Sequence, residues 1–239
     1  MHRPERLPGT ADILLVADHA AAHVPPGIDL GVPAALMDDH VAVDIGTDAL
    51  VRRLARTLAA PAIIATVSRL VVDVNRDPDD VGAVPATSDG HMIPGNWDLP
   101  AAERDLRIAA IHRPYHACIA DQIAAQRPAL IIAIHSFTPQ LATRPEEARP
   151  WPVGILYNHD DRAARAAILA LATRGLHVGD NQPYSGRTLN YTMDHHAEAH
   201  RIPYAGIEVR NDGLRDRAGI ARWTHILADC IIAVRRSLT

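Results

Sequence analysis

The 239-residue chain contains no lysine; all 24 of its basic residues are arginine. That excludes a lysine nucleophile or Schiff base. It also excludes the G-x-x-x-x-G-K-[ST] phosphate loop of nucleotide hydrolases. There are only two cysteines, Cys118 and Cys230, far apart and in helix-like stretches. They read as buried thiols rather than a disulfide framework or a thiolate zinc site. No G-x-S-x-G elbow is present, which argues against a serine hydrolase. No stretch is long enough to span a bilayer, and the opening MHRPERLPGTAD lacks the apolar run of a signal peptide. The cytoplasm is the expected location. A net charge of −4 argues against a dedicated binder of nucleic acid or anionic membrane.

Hydrophobic residues make up 48% of the chain, enough for a real core, and fourteen histidines stand out against 4% aromatics. Short β-branched runs alternate with helical patterns and no internal repeat is visible. This is the signature of an α/β fold with a mainly parallel sheet, read as one domain over 1–239. Strands are expected over 12–19, 62–67, 70–75, 129–137, 153–158 and 205–211. Helices are expected over 47–60, 101–126 with a bend near Pro114, 160–174 and 217–236. The stretch 129–137, ALIIAIHSF, is a continuous apolar run of the kind a central parallel strand needs. The loop from Asp77 to Pro100 is long enough to be a lid or binding loop.

Several of these apolar strands end in polar residues: Asp18 and His19, then Asp73, Asn75 and Arg76, then His135 and Ser136, and last Glu208 and Arg210. Ligands of open parallel sheets bind at the carboxyl ends of strands. His19 and His135 suit a divalent metal. A catalytic zinc takes three protein ligands and keeps one position open. For the third ligand, His23 makes an H-x-x-x-H with His19, a spacing that needs a helix, and Pro25 and Pro26 oppose one. Asp44, just before a helix, is the better candidate. Glu208, between Ile207 and Val209, is a part-buried carboxylate that needs a partner or a task. General base toward a water is that task, with a salt bridge to an arginine such as Arg210 as the bland alternative. Arg69 and Asp73 are four residues apart and share one face of an extended strand. Arginine is suited to bidentate recognition of carboxylates.

The blocks ADHAAAHVP (17–25), HVAVDIGTDAL (40–50), SRLVVDVNRDP (68–78), IHSFTP (134–139), GDNQPYSG (179–186) and GIEVRND (206–212) resemble, in order, the signature blocks of N-formylglutamate amidohydrolases. The D-V-N-R segment also resembles the D-L-N-R of aspartoacylase and succinylglutamate desuccinylase, more distant zinc enzymes with a carboxypeptidase-like fold. The resemblance implies a three-layer α/β/α architecture of the phosphorylase/hydrolase-like, zinc-exopeptidase-like kind. It implies one zinc ion held by His19, Asp44 and His135, with Glu208 catalytic. It places Arg69, Asn75 and Arg76 in substrate binding or carbonyl polarisation, and points to Asn181, Tyr184 and His196 for the substrate pocket. Many members read H-A-S-N or H-A-G in the first block; here Ala21 and Ala22 replace the polar residues.

The expected reaction is hydrolysis of a small-molecule N-formyl or N-acyl amino acid. Glu208 serves as base and then acid, Arg69 supports the oxyanion, and Arg76 with Asn75 or Arg210 holds the carboxylate. Two rivals differ in what they predict. A zinc peptidase or amidase of peptide or cell-wall fragments shares the metal site and differs in substrate. A non-catalytic dicarboxylate-binding protein needs no metal.

Overall fold

A computed structural model describes residues 2–238. In chain order it contains β1 (Glu5–Leu7), β2 (Ile13–Ala17), α1 (Thr47–Leu58), β3 (Ala62–Ile64), β4 (Thr87–Ser88), β5 (His91–Met92), α2 (Ala101–Arg107), α3 (Arg113–Gln126), β6 (Leu130–Phe137), β7 (Val153–Leu156), α4 (Arg162–Ala172), β8 (Val178–Asp180), α5 (Tyr191–His196), β9 (Tyr204–Arg210) and α6 (Arg217–Ser237). Seven strands form one sheet in the order β1-β3-β2-β6-β9-β7-β8, and β4 and β5 form a separate hairpin. Strands β3, β2, β6 and β9 run parallel. Strand β1 is antiparallel to β3, and the β7–β8 pair is antiparallel to β9.

The central strands are apolar on both sides because both faces of the sheet are covered. Successive side chains alternate between faces. One face takes Leu15, Ile132, Ile134 and Ile207 into a core with α1, α4 and α6. The other takes Leu14, Val16, Ile131, Ala133 and Tyr204 into a core with α3 and the 67–93 segment. The result is the expected three-layer α/β/α arrangement. Helix α1 forms as its pattern predicts: Leu50 and Leu54 are buried while Arg52, Arg53 and Arg56 are not. Both cysteines are buried and free. Among the described residues, no helix is long and apolar enough to cross a membrane.

One local expectation is corrected. Residues 70–75 form no strand. Leu70, Val71, Val72 and Val74 are buried as expected, but in turns that pack over the sheet rather than join it. Their backbone groups bond locally: Val71 N–H donates to Ser68 O, Asp73 N–H to Ala83 O, and Asn75 N–H to the Asp73 carboxylate. A buried segment must satisfy its backbone somewhere, and this one uses turns and side chains. The 101–126 helix is interrupted near Pro114 as expected: a π turn spans Ile108–His112, just before the proline, whose ring and missing N–H disturb the preceding helical turn.

Candidate metal centre and active-site cleft

The sheet register builds the centre of the site. His135 pairs with Glu208 across β6 and β9. By the two-residue alternation both continue the face that carries Ile131, Ala133 and Tyr204, at the carboxyl ends of their strands. On the next strand Gly154 pairs with Glu208. The backbone carbonyl of Gln182 rests so close to Gly154 that a Cβ there would lie 1.9 Å from it. That contact seats the 180–186 loop on the sheet and brings Tyr184 to the cleft. Gly154→Ala therefore lifts the loop, and denaturant unfolding should show a loss of about 1–3 kcal/mol, as for other overpacked sites. Unchanged stability would contradict this packing.

A cleft of about 320 Å³ opens over this edge, lined among others by His19, Asp44, Arg69, Asp73, Asn75, Arg76, His135, Tyr184 and Glu208. Its centre is a network of buried charge. His135 places Nδ1 2.9 Å from Asp44 Oδ2 and Nε2 3.1 Å from Asp18 Oδ2. His19 places Nδ1 3.6 Å from Asp44 Oδ2 and Nε2 2.7 Å from Asp73 Oδ1. Each imidazole thus turns Nδ1 toward the shared Asp44 and Nε2 toward a carboxylate of its own. Ligand atoms of His19, Asp44 and His135 lie within 4.8 Å of one another. Arg69 reaches into the same space, donating to Asp44 Oδ1 at 2.6 Å and to His19 Nδ1. Tyr115 and Thr192 donate to Asp18 Oδ1 at 2.7 and 2.9 Å.

The donor set fits a divalent cation. Two imidazole nitrogens and a carboxylate converge, and each imidazole has an outer carboxylate to orient it, the usual support of a metal-binding histidine. Among the described residues, Glu208 Oε2 and Arg69 Nε are buried without a hydrogen-bond partner. Two uncommitted polar atoms of opposite charge beside the convergent donors leave room for a water and a substrate carbonyl.

The electrostatics follow from the packing. Burial works against the ionised forms of Asp44 and Asp73, yet both are held below the usual carboxylate range, Asp44 by Arg69 and the two histidines, Asp73 by His19, Arg69 and Arg76. Asp18 is likewise buried and brought down to about 2, chiefly by His135. Burial lowers His135, but Asp18, Asp44 and Glu208 carry it well above the ordinary imidazole value. Burial and Arg69 lower His19 while Asp73 and Asp44 raise it, with a net rise.

Glu208 goes the other way: burial raises it to about 7, opposed by His135 and reinforced by Asp44. A carboxyl raised from 4.5 to about 7 favours the fold while protonated. That contribution is complete below the unfolded value and is lost as pH rises through the folded one. In chelator-treated protein, Glu208→Gln should therefore gain on the wild type between about pH 5 and about pH 8. At ~1.36 kcal/mol per unit the gain is up to about 3 kcal/mol. Denaturant midpoints at the two pH values measure it; a constant gap would contradict the raised carboxyl.

Of the residues singled out in the sequence, His19, Asp44, His135, Glu208, Arg69, Asn75, Arg76 and Tyr184 come together around the cleft. Asn75 is fixed by Thr192 N–H donating to Oδ1 at 2.9 Å. Arg76 is loosely held, 4.0 Å from Asp73 and 3.9 Å from Asp80. Three others lie outside the lining. Asn181 braces its own loop, accepting from Tyr157 N–H and Gly186 N–H. His196 is buried against His116 at 2.9 Å. Arg210 pairs with Asp212 and donates to the Arg149 carbonyl. His23 is exposed.

Sequence reasoning missed Asp89. It accepts from Ala142 N–H, Thr143 N–H and Thr143 Oγ1, faces His40 Nε2 at 3.0 Å, and pins the loop that carries Arg144 to the cleft rim. A carboxylate following the Thr-Ser pair in a turn gave no signal of so distant a partner.

Comparison with known proteins places this architecture. A family described as N-formylglutamate amidohydrolase matches residues 11–214, a span that contains every cleft residue named above. The N-formylglutamate deformylase of Pseudomonas aeruginosa is 32% identical over 129 residues, 48% of this chain and 47% of that protein, so the match spans about half of its length. The crystal structure of gene product Atu2144 from Agrobacterium tumefaciens superposes with a TM-score of 0.93 at 31% identity, covering 99% of this chain and 96% of that one. N-formylglutamate amidohydrolase from Ralstonia eutropha JMP134 shares the fold, with a TM-score of 0.70 at 20% identity over 99% of this chain and 98% of that one. With most of its length matched by the family and its fold shared across the full chain, the protein belongs to the N-formylglutamate amidohydrolase family.

Proposed function

We propose that the protein is a zinc-dependent amidohydrolase that cleaves the amide bond of an N-formyl or N-acyl amino acid, with N-formylglutamate as the type substrate. The observation that carries the reading is the paired arrangement of His19 and His135, each with Nδ1 toward Asp44 and Nε2 toward its own carboxylate, beside the unpartnered Glu208. The name of the Pseudomonas deformylase supplies the formyl group and the glutamate.

His19, Asp44 and His135 would hold the ion, and Asp73 and Asp18 orient the two imidazoles. A divalent cation here supplies Lewis acidity toward a water and the scissile carbonyl. Glu208 takes a proton from the attacking water as its oxygen bonds to the acyl carbon. As the C–N bond breaks, Glu208 returns that proton to the leaving nitrogen. A carboxylate raised toward neutrality by burial is suited to both transfers. Arg69 lends positive charge to the oxygen of the acyl group as it becomes anionic. Arg76, only loosely paired, receives the amino-acid carboxylate, and Asn75 fixes the turn from which it projects. The products are formate, or another carboxylate, and the free amino acid.

The test is a substrate panel on zinc-loaded protein: N-formylglutamate, other N-acyl amino acids, peptides and cell-wall fragments. Release of glutamate from N-formylglutamate as the best reaction is expected. Preferred cleavage of peptides or cell-wall fragments would replace the substrate assignment. Tight dicarboxylate binding with no turnover would replace the enzyme by a binding protein.

A further inference from the structure

Tyr184 enters the cleft from the 180–186 loop, next to the Gln182 backbone that rests on Gly154. Behind it lies Arg149, whose side chain is 0% exposed. Nη1 of Arg149 donates to the Tyr184 hydroxyl at 3.1 Å, and the guanidinium carbon lies 5.0 Å from the ring centroid. Two further bonds hold that pose: Nη1 also donates to the Thr138 carbonyl at 3.3 Å, and Nη2 to Glu147 at 3.3 Å, while Nε has no partner. Arg149 itself does not line the cleft; Tyr184 and Thr138 do.

The phenol proton is left uncommitted. A tyrosine oxygen can accept from Arg149 and still donate its own O–H. Among the described residues no side chain or carbonyl accepts that proton. Arg149, Glu208 and Arg69 all act on the phenol electrostatically, and Glu208 and Arg69 line the same cleft. The half-buried O–H, with its oxygen held by Arg149, is therefore free to donate to a ligand bound in the cleft.

We propose that Tyr184 is a further catalytic residue, donating its O–H to the acyl oxygen as negative charge develops there, and that Arg149 is the positioning residue that aims it. The inference rests on the amidohydrolase reading. It assigns Tyr184 to the reacting carbonyl because its O–H lies in the cleft that also holds the unpartnered Glu208 Oε2 and Arg69 Nε. A donor positioned before the reaction, in a site with little water, needs no reorganisation as the charge appears. No bond to Tyr184 forms or breaks; the phenol keeps its proton throughout.

Two measurements test it. In zinc-loaded enzyme, Tyr184→Phe should lower kcat for N-formylglutamate by ~10²-fold, the usual effect of losing one oxyanion donor, with KM within about twofold of wild type. Arg149→Met should lower kcat similarly and add little in the Tyr184→Phe background. An increase in KM with kcat unchanged, or additive losses, would overturn the assignment. The second measurement needs neither zinc nor turnover. The Tyr184 ionisation, read as the ultraviolet difference between each protein and its Tyr184→Phe counterpart, should move to higher pH in Arg149→Met; an unmoved transition would overturn the link. If wild type hydrolyses no N-acyl amino acid, the functional reading and the carbonyl role fall together, and the titration still decides whether Arg149 controls Tyr184. If Arg149→Met does not fold, the kcat-against-KM split of Tyr184→Phe decides the carbonyl role.

Discussion

Glu208→Gln should keep its fold and its metal and lose hydrolysis of N-formylglutamate by about 10³-fold, within the range that general acid–base groups contribute. The substitution preserves shape and removes the group proposed to carry a proton from water to the leaving nitrogen. Glu208 is the register partner of His135, is 6% exposed, and has an oxygen with no protein partner. A structural carboxylate in that position would have been neutralised by a neighbour. Arg69 commits its terminal nitrogen to Asp44 and His19 instead. Both kcat and kcat/KM should fall together, because the proton transfer belongs to the transition state. Full activity in this variant would remove Glu208 from the mechanism.

The second large effect concerns the ligands. Asp44→Asn should leave the protein without stoichiometric metal and without measurable turnover, since Asp44 is the one carboxylate that faces Nδ1 of both histidines. Asp73→Asn should be milder. It weakens the outer support of His19 and should cost 10–100-fold in metal affinity, as such outer partners do. Equilibrium dialysis against a zinc buffer, followed by elemental analysis, separates the two. Equal losses in both variants would mean that Asp73 is itself a ligand. The choice of Asn keeps volume and hydrogen-bonding capacity. His135→Ala is a poorer probe, because it takes from the buried Asp18 its ion-pair partner, a change that destabilises by about 3–5 kcal/mol.

Much of the fold is legible in the sequence because the central layer obeys simple rules. The 129–137 run is apolar on both faces, and β6 forms there with every residue buried. Leu50 and Leu54 recur on one side of 47–58, and α1 packs by that side. Short edge strands such as β1 and β8, three residues each, carry no comparable pattern. The 70–75 segment misleads for a physical reason. Buried β-branched residues look alike whether they sit in a sheet or cover one, and only the backbone partners differ.

The site shows the same division. His19, His135 and Glu208 are legible because each is a polar residue at the end of an apolar run. What the sequence does not display is the pairing: the register that puts His135 beside Glu208, and the long-range contacts that give His135 to Asp18 and His19 to Asp73. Arg149 and Asp89 lie in loops without periodicity and act through partners 35 and more than 50 positions away. His196 looks like a site residue in the sequence because it stands near a signature block, and Arg210 because it closes an apolar strand, but their side chains face other partners.

In the proposed reaction His19, Asp44 and His135 hold a metal ion on which hydrolysis depends. The most direct measurement is anomalous scattering at the zinc edge from crystals of the active protein, with activity measured on the same preparation. One strong peak is expected among His19, Asp44 and His135, with loss of activity when a chelator removes it. Undiminished hydrolysis of N-acyl amino acids by protein that shows no peak there would contradict it.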